Sequence, residues 1–502
     1  MLTGSTSFYD IVIAGTDLSG LIVGALCAKR GYRVLVLGQG SRPSGYRYQG
    51  HTFQRRAQLF TGFDTSPVLK QIFGELSLTL EMRNRPKAFD PFYQVVLPEA
   101  RIDVTRPGER FDRELAREFP DESVPIQGFY KAVFAISEAI SAILARNPPL
   151  PPNGWAEKRE IQRLTQDLPN LIDGAVPLNP LDAFPRAHPF RAFVAGPATM
   201  TSGLDIEDGP TLPLARCIAH LAGGVNHIEG GMDGLKRLFI QKIKQNASDY
   251  RPEISFDALA VKRGKMVAGR VRDRQEIIGF HLLICNSPLK RFFHLVPAEA
   301  QSERYHHRIH TLQPSHYVFT INLAMHAEGI PEAMARNVFL VQDPKMPLDG
   351  DNLVQIALDP GKAERTPPGE VAIVTASCRL PAQNFRPHVD HVQRLGDWLL
   401  ERLRSTLFPF LDEHLVAVHA PWKGFDPLTG QARFEAGEVL PIYRGAMEAT
   451  LDASVLAVES DYKNILVCGD HVFSGFGFEG AFLAAQNAYR KVTERIVLKP
   501  ML

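Results

Sequence analysis

The sequence predicts an α/β fold, α+β overall, with a nucleotide-binding domain assembled from separate segments and a second domain containing a mixed sheet. Two observations support this prediction. Residues 11–37 read as an apolar strand, a Gly-bearing turn, a small-residue helix and a second apolar strand. Residues 464–489 read as a buried strand, a Gly-Asp turn, a Gly-rich loop and a helix. The first pattern opens a Rossmann-like dinucleotide-binding domain, and the second indicates that the chain returns to this domain at its other end.

The opening turn departs from the dinucleotide-binding fingerprint at two positions. On the pattern G-x-G-x-x-G, Gly15 and Gly20 are the first and third glycines, but Asp17 stands at the middle position. The acidic residue that such folds carry about 20 residues later, to hold a ribose hydroxyl, is replaced by Gly38. The fold is therefore strongly indicated, whereas the ligand is not.

The two departures have different physical consequences. The middle glycine lets a pyrophosphate approach the helix N-terminus, so a carboxylate at Asp17 adds bulk and like charge. Two unit charges about 4 Å apart repel by roughly 4 kcal/mol at an effective dielectric constant of about 20. The alternative is that Asp17 caps the helix beginning near Leu18. The loss at Gly38 removes one charged hydrogen bond, roughly 1.5 to 3 kcal/mol, and Gln39 is a partial substitute.

The composition indicates a large globular chain. At 502 residues with 45% hydrophobic content, the chain can bury more than one core. A formal net charge of +1 gives no reason to expect nucleic acid as a partner. Five cysteines without C-x-x-C spacing indicate buried residues in a reducing compartment, with no zinc site or disulfide framework. No stretch reaches the length of an apolar membrane span, so we expect a cytoplasmic protein, with peripheral membrane contact still open.

The middle of the chain supplies further elements. The segment G-G-M-D-G-L at 230–235 opens a helix, and alternation predicts a hairpin at Gly264 and Lys265. An amphipathic helix is expected over 129–144, followed by a proline-rich linker at 147–153. Several strands follow residue 307, and then a helix over 392–407. Residues 47–56, rich in arginine, are expected to form a solvated loop, with a phosphate-neighbouring or membrane-facing role as the alternative.

Together these motifs carry a family resemblance. The chain resembles the phytoene desaturase-like group of the amine oxidase superfamily of FAD-dependent oxidoreductases. The resemblance rests on the opening strand-helix-strand, on G-G-M-D-G-L and the strands after it, on I-C-N-S-P at 284–288, and on the terminal G-D and G-x-G-x-x-G-A segment. The order of these motifs predicts that residues 1–75, 215–300 and 455–502 form the FAD/NAD(P)-binding-type domain. Residues 76–214 and 301–454 are then the substrate domain.

The resemblance implies a cofactor site for FAD. Asp470, after Gly469, matches the residue that binds the ribityl-phosphate part of FAD. Val261 matches the strand residue whose backbone binds the adenine. The full set of expected cofactor positions, including those where the pattern is broken, is Gly15, Asp17, Gly20, Gly38, Gln39, Val261, Gly469, Asp470, Gly477, Gly480 and Ala481. The last three begin the terminal helix near the ribityl and pyrimidine end, and the alternative for this segment is a tight turn kept for packing.

Two classes of function follow. The first is a flavoenzyme that dehydrogenates, desaturates or isomerises a long apolar, isoprenoid-like molecule at a membrane surface. The second is a cofactor-less binding or lipid-chaperone protein of the same fold, similar to the GDP-dissociation inhibitors of small GTPases. A third interpretation, in which Ser41 and Arg42 accept the 2′-phosphate of NADP, is disfavoured by the flavin-like terminal segment.

The sequence assigns no catalytic residue, because a flavin itself carries the hydride transfer. His471 is a candidate since it follows Asp470, although a packed or surface histidine is the alternative. His306 and His310 have helical spacing, but no H-E-x-x-H motif surrounds them, so no metal is expected.

The segment between the linker and residue 230 is rich in aromatic residues. Phe184, Phe190, Phe193 and Met200 are expected to be ordinary core, and a tunnel for an apolar substrate is the alternative.

Overall fold

The computed structural model describes residues 6–150, 152, 154–166, 180–204, 211–359, 369–443, 456–469, 472–473 and 475–496. The described strands are β1 (Ser7–Ala14), β2 (Val34–Leu37), β3 (Gly45–Tyr48), β4 (His51–Gln54), β5 (Phe60–Thr61), β6 (Lys87–Ala88), β7 (Tyr93–Val96), β8 (Arg101–Val104), β9 (Val225–His227), β10 (Asp249–Arg251), β11 (Phe256–Lys262), β12 (Lys265–Val271), β13 (Ile277–Cys285), β14 (His316–His326), β15 (Asn337–Val341), β16 (Leu353–Asp359), β17 (Val371–Pro381), β18 (Leu415–His419), β19 (Lys423–Phe425), β20 (Ala432–Phe434), β21 (Leu440–Ile442) and β22 (Ile465–Val467).

The described α-helices are α1 (Leu18–Lys29), α2 (Pro67–Glu75), α3 (Thr79–Asn84), α4 (Glu109–Glu118), α5 (Ser123–Leu144), α6 (Trp155–Thr165), α7 (Pro189–Ser202), α8 (Thr211–Gly223), α9 (Gly231–Gln245), α10 (Leu289–Phe293), α11 (Glu303–Thr311), α12 (Val389–Thr406), α13 (Leu411–His414) and α14 (Gly477–Arg495). Within the described residues, no helix is long and apolar enough to cross a membrane.

A seven-stranded sheet carries the nucleotide-binding-type part of the fold. Its strand order is β10-β2-β1-β13-β12-β11, and β22 also pairs with β13. Strands β2, β1, β13 and β22 run parallel, so their carboxyl ends meet at one edge, where Ala14 pairs with Leu37 and with Cys285. In open parallel sheets this edge is the usual position for a ligand. The strands of this sheet come from residues 7–37, 249–285 and 465–467. The boundaries of the two domains stay a prediction.

Helix α1 lies in the core of this part. Residues 18–28 are all buried, and the helix contains no charged side chain before Lys29. It packs between α9 and α14 and against β2. A helix that is apolar on every side is stable only when it is covered on every side, so the first turn of α1 is held rigidly beside the carboxyl edge of the sheet.

A second, eight-stranded sheet forms the other part. Its order is β18-β14-β17-β16-β15-β7-β8, with β21 paired to β14. The neighbours are antiparallel except for β15 and β7. Strands β5, β9 and β6 make a small third sheet. The mixed-sheet, α/β architecture predicted from the sequence is confirmed.

Residues 47–56 do not form the solvated loop that the sequence predicts. Strands β3 and β4 form an antiparallel hairpin over β14 and β17, with Phe53 fully buried. Arg55 donates from Nε to Oε2 of Glu438 at 2.6 Å, and Arg42 forms an ion pair with the same buried carboxylate. The local charge count misleads because the compensating carboxylate lies 383 positions along the chain.

The aromatic segment is core. Phe184, Phe190 and Phe193 are at most 3% exposed, and the ring of Phe190 contacts the rings of the other two. Met200 packs partly buried against the same cluster. These four residues belong to a hydrophobic core cluster, as the core interpretation predicts.

Candidate functional site

The side chain of Asn286 joins the Gly-rich turns from the two ends of the chain. It follows β13 at the carboxyl edge of the parallel sheet. Its Oδ1 accepts a hydrogen bond from the N–H of Asp17 at 2.9 Å, and its Nδ2 donates to Oγ of Ser19 at 2.9 Å and to the carbonyl oxygen of Cys468 at 3.2 Å. A Cβ on Gly469 would lie 3.5 Å from Nδ2. One amide therefore holds the first turn of α1 and the turn after β22 together.

The two surviving fingerprint glycines are explained by this packing. A Cβ on Gly15 would lie 1.9 Å from the carbonyl oxygen of Asn286, and a Cβ on Gly20 would lie 2.2 Å from its Oδ1. Gly15 also has a φ of +128°. In this type of fold the first and third glycines serve the turn and the close packing, and the middle one admits the pyrophosphate. The chain therefore has glycine at the two positions where this packing requires it, and not at the middle position.

Asp17 is the N-cap residue of α1, but its carboxylate makes no side-chain cap hydrogen bond. Asp17 therefore occupies the N-cap position that the sequence predicts as an alternative, without a side-chain capping hydrogen bond. The side chain is 62% exposed, and its Oδ1 lies 3.7 Å from Nζ of Lys236 on α9. Lys236 was not predicted from the sequence, since nothing in G-G-M-D-G-L-K marks its lysine as facing a residue 219 positions earlier. The ammonium group offsets the negative charge that Asp17 brings to the turn.

The position of the missing ribose-binding acid is filled by protein. A Cβ on Gly38 would lie 1.9 Å from the carbonyl oxygen of Pro252. The Gln39 side chain is bound to the backbone of Phe256, with Oε1 accepting from N–H at 2.9 Å and Nε2 donating to the carbonyl oxygen at 3.0 Å. Both residues tie the end of β2 to the segment between β10 and β11. Both ends of the Gln39 amide are thus engaged by the backbone of Phe256.

Several hydrogen-bond donors remain open beside the Gly15 turn. In the described part of the chain, the N–H groups of Leu18 and Ser19 make no backbone hydrogen bond, as is normal for a first helical turn. The Ser287 hydroxyl is buried and has no hydrogen-bond partner among the described residues. Such donors at a helix N-terminus suit an anion. Ser41 is different, because its Oγ accepts from the N–H of Thr16 at 3.0 Å.

The terminal helix contributes a buried carboxylate that the sequence reasoning missed. Helix α14 begins at Gly477, three residues before the predicted start at Gly480. Glu479, in its first turn, accepts hydrogen bonds from Arg216 Nε at 3.0 Å, from Arg216 Nη2 at 2.9 Å and from the Ser66 hydroxyl. His220 Nε2 lies 3.1 Å from its Oε2. The sequence signal was available in G-F-G-F-E-G-A, where one acidic residue interrupts an otherwise apolar segment.

The protonation states in this cluster follow from burial and charge. Burial raises the pKa of Glu479, but Arg216 and His220 outweigh burial and hold this pKa well below its ordinary value. Burial lowers the pKa of His220, and the nearby Glu479 only partly opposes it. A neutral His220 donates from Nε2 to Glu479 and accepts at Nδ1 from the Thr65 hydroxyl, 2.6 Å away. The cluster then contains one ion pair and a neutral imidazole.

The remaining predicted positions are placed as follows. Val261 lies on β11 opposite Met266, next to a bulge. A Cβ on Gly477 would lie 3.0 Å from Cγ2 of Thr201, and Ala481 is partly buried one turn along α14. Asp470 and His471 lie outside the described residues. The cofactor-binding role of these positions stays a prediction.

The histidine pair on α11 has ring centroids 4.1 Å apart, at His306 and His310. In the described ranges, no group of three or more His, Cys, Asp and Glu side chains is arranged to hold a metal ion.

The chain is similar to known proteins in sequence and in fold. Residues 13–76 match the NAD(P)-binding Rossmann-like domain. The chain is similar along its whole length to an oxidoreductase from Methanosarcina mazei, with 17% identity, 97% of this chain and 100% of that chain covered, and a TM-score of 0.58. Putrescine oxidase gives 13% identity, 97% and 99% coverage and a TM-score of 0.55. The chain has the fold of these two proteins. The resemblance predicted from the sequence is confirmed.

Curated relatives agree with this fold. The chain is 22% identical to the chloroplastic prolycopene isomerase of Arabidopsis thaliana over 354 residues, which are 68% of this chain and 58% of that protein. It is 22% identical to the Daucus carota prolycopene isomerase over 450 residues, 82% of this chain and 69% of that protein. The chain thus spans less than two thirds of the Arabidopsis relative. A Rab GDI from Plasmodium falciparum is also similar in fold, with 13% identity, 98% and 100% coverage and a TM-score of 0.54.

Proposed function

We propose that this protein is a flavin-dependent oxidoreductase, a dehydrogenase, desaturase or isomerase, that acts on a long apolar, isoprenoid-like molecule. The observation that carries the proposal is the meeting of the two flavin-type motifs at Asn286, with open donors beside it. The similarity to proteins named prolycopene isomerase supports the substrate class.

The pyrophosphate part of FAD fits the residues at this edge of the sheet. The N–H groups of Leu18 and Ser19 and the buried hydroxyl of Ser287 would hold its oxygens. Asp17 does not exclude it, since its carboxylate is largely exposed and lies next to Lys236. The first turn of α14 would lie toward the flavin end. Bound FAD would supply the transfer of hydride or electrons.

The role of this chain's own residues is then to bind and orient. Lys236 keeps the local charge near zero, Asn286 fixes the turn that carries the donors, and Arg216 with Glu479 holds the start of α14. The adenosine half would be bound without a ribose-binding carboxylate, because the Pro252 carbonyl fills the space beside Gly38. We therefore expect weaker FAD binding than in a chain with the complete fingerprint.

An absorbance spectrum of the purified protein tests the cofactor. Bands near the flavin maxima, retained on gel filtration and released as FAD on denaturation, support the proposal. The substrate class is tested by incubating the flavin-loaded protein with a cis-polyene hydrocarbon and an apolar control alkane, and following the polyene spectrum. An unchanged polyene spectrum with reduced and with oxidised flavin would remove that substrate class.

A cofactor-less binding protein is the second candidate. The filled space beside Gly38 and the carboxylate at position 17 favour it, because both remove dinucleotide contacts. This candidate predicts no flavin bands even after refolding with excess FAD, together with saturable binding of a prenylated peptide.

Both candidate functions imply contact with a membrane surface, because in both the protein would take an apolar molecule from a lipid phase. Co-sedimentation with anionic and neutral liposomes at low and high salt tests it. Failure to sediment with anionic liposomes at low salt would favour a substrate that arrives through solution.

A further inference from the structure

Helices α10 and α11 hold one side against the core and expose the other. Phe292 and Phe293 of α10 are buried, as are Tyr305 and Ile309 of α11. The ring centroids of Phe293 and Tyr305 are 5.2 Å apart, so the two helices share one attachment to the core. The outer side carries basic and imidazole groups that are exposed or half-buried. We call this side the basic face, and its residues are Lys290, Arg291, His294, Arg304, His306 and His310.

Three imidazole rings of the basic face lie close together. The ring centroids of His306 and His310 are 4.1 Å apart, and those of His294 and His310 are 5.2 Å apart. Desolvation lowers the pKa of His310 from its ordinary value, and the neighbouring cationic groups of His306, His294 and Lys290 add to this effect. Histidine is the side chain whose charge normally changes between pH 8 and pH 5. Each proton that the rings take up therefore adds charge to a face that is already positive.

The carboxylate beside α10 is already engaged by other arginines. A Cβ on Gly437 would lie 3.8 Å from Nη2 of Arg291, so the neighbouring Glu438 is the acidic group closest to this end of the basic face. Glu438 is buried and forms ion pairs with Arg42 and Arg55. One carboxylate thus faces three guanidinium groups, and the charge of Arg291 is left over.

The other acidic groups around the basic face do not cancel its charge either. Asp257 on β11 pairs with Arg270, and Asp461 accepts a hydrogen bond from the Ser302 hydroxyl at 3.0 Å. The remaining charged side chain of α11 is Arg308, which is also positive. Across the described ranges, no ion pair joins the basic face to the acidic groups on these elements, which are Asp257, Glu299, Glu303 and Asp461.

The position and composition of the basic face indicate how it makes contact. Helix α10 begins three residues after Asn286, so the face lies at the carboxyl edge of the parallel sheet, where the candidate site is. Among the described residues, none of the exposed large apolar side chains falls within residues 289–312. A partner of this face is therefore bound through charge and not through inserted apolar groups, which makes the contact sensitive to salt.

We propose that the basic face docks on the headgroups of an anionic membrane, and that protonation of its three imidazole rings tightens this contact as the pH falls below neutral. Positive groups spread over two adjacent helices match a plane of many phosphates better than they match one small anion. The inference goes beyond the proposed function, because the face acts whether or not a flavin is bound.

The test measures partitioning of the full-length protein onto vesicles of phosphatidylcholine alone and of phosphatidylcholine mixed with phosphatidylglycerol, at pH 7.5 and pH 5.5. We expect binding to the anionic vesicles only, tighter by about threefold or more at pH 5.5 and reversed by added salt. K290Q/R291Q/R304Q should weaken binding by about tenfold or more at both pH values. H294Q/H306Q/H310Q should bind as the wild type does at pH 7.5 and lose the increase at pH 5.5.

Two triple variants elsewhere on the surface are the matched controls. R263Q/K265Q/R274Q removes three exposed positive charges around β12, and H281Q/H326Q/H388Q removes three exposed imidazole rings. Both controls change the net charge or the histidine count as the test variants do. Each should stay within about twofold of the wild type at both pH values, because neither alters the basic face.

The outcomes separate this inference from the proposed function. A wild-type protein that binds neutral and anionic vesicles equally, or binds neither at low salt, overturns the inference whether or not the protein binds FAD. Equal losses in K290Q/R291Q/R304Q and in R263Q/K265Q/R274Q would also overturn it, since net charge and not this face would then decide binding. A protein that binds no FAD but docks through the basic face overturns the proposed function and supports the inference.

Discussion

The backbone N–H of Asp17 donates to Oδ1 of Asn286 at 2.9 Å. The residue that breaks the dinucleotide fingerprint is thus held in place by a residue 269 positions later. Its carboxylate points the other way, toward Lys236. The turn keeps its shape because Asn286 fixes the peptide, whatever side chain stands at the middle position.

Asn286 and Gly20 should therefore be energetically coupled. The substitution N286A leaves the Asp17 N–H and the Ser19 hydroxyl short of a partner, which costs about 1 to 3 kcal/mol in unfolding free energy. In the wild type, G20A places a Cβ 2.2 Å from Oδ1 and costs a similar amount. In the N286A background the same Cβ enters vacated space. Urea denaturation of the four proteins should show the double variant to be more stable than the sum of the single effects predicts, and strict additivity would contradict the contact.

The order of FAD affinities should follow the local charge beside the first turn of α1. The pair formed by Asp17 and Lys236 is close to neutral. D17G leaves a positive charge and should bind FAD most tightly, while K236M leaves a negative charge and should bind it most weakly. D17G/K236M should be close to wild type. Isothermal titration of the four proteins at low and high salt measures this order, which should flatten as salt rises.

Elements of secondary structure that carry a local sequence signal could be predicted from the sequence. The start of α1 at Leu18, the hairpin at Gly264 and the helix after Gly230 are where local patterns predict them. The start of α14 differs from the predicted one, since the helix begins at Gly477 and not at Gly480, because tertiary packing determines this boundary. The prediction of a solvated loop over residues 47–56 was wrong. The ion-pair partner of Arg55 is Glu438, which is too distant in sequence to enter any count of local charges.

The candidate site was predicted only in part for the same reason. Gly15 and Gly20 could be found by pattern, but Asn286 was included only as part of the segment I-C-N-S-P at 284–288. Lys236, Arg216 and His220 carry no motif of their own, and only the fold brings them to Asp17 and Glu479. The filled space beside Gly38 depends on a carbonyl group, which every residue has and no sequence pattern shows.

Restoring a side chain at position 38 should damage the fold. A Cβ there would lie 1.9 Å from the carbonyl oxygen of Pro252, and backbone cannot move aside as a flexible side chain can. We expect G38A to lower the unfolding free energy by about 1 to 3 kcal/mol, and G38E to do so without tightening FAD. Gly128→Ala on α5 is the control, because nothing lies within 4 Å of its Cβ. It should be neutral or stabilising by up to about 1 kcal/mol. Tighter FAD binding in a stable G38E protein would contradict the filled-space explanation.

The buried cluster around Glu479 should make the protein sensitive to acid. Burial lowers the native pKa of His220, despite partial opposition from Glu479, so the native state resists its protonation. The native pKa of Glu479 is also low, because Arg216 and His220 outweigh the effect of burial. In both cases the unfolded chain binds the proton more readily, so stability falls as pH falls. The loss begins below about 6.5 for the histidine and below about 4.3 for the carboxylate, the ordinary values in unfolded chains.

Urea denaturation between pH 8 and pH 4 measures how the unfolding free energy depends on pH. Variants of this cluster distinguish its contribution from that of the rest of the protein. H220Q should flatten the decline between pH 7 and pH 5, since the substituted side chain does not titrate. R216M/E479Q should flatten the decline at the acid end of the range. There the unfolded wild-type chain takes up a proton at Glu479, whereas the native protein does not. His326→Gln, at an exposed histidine, is the control and should follow the wild-type curve. A wild-type stability that rises relative to that of H220Q as the pH falls from 7 to 5 would show that the native state binds this proton more tightly than the unfolded chain does. The neutral imidazole that the geometry assigns between Thr65 and Glu479 would then be wrong.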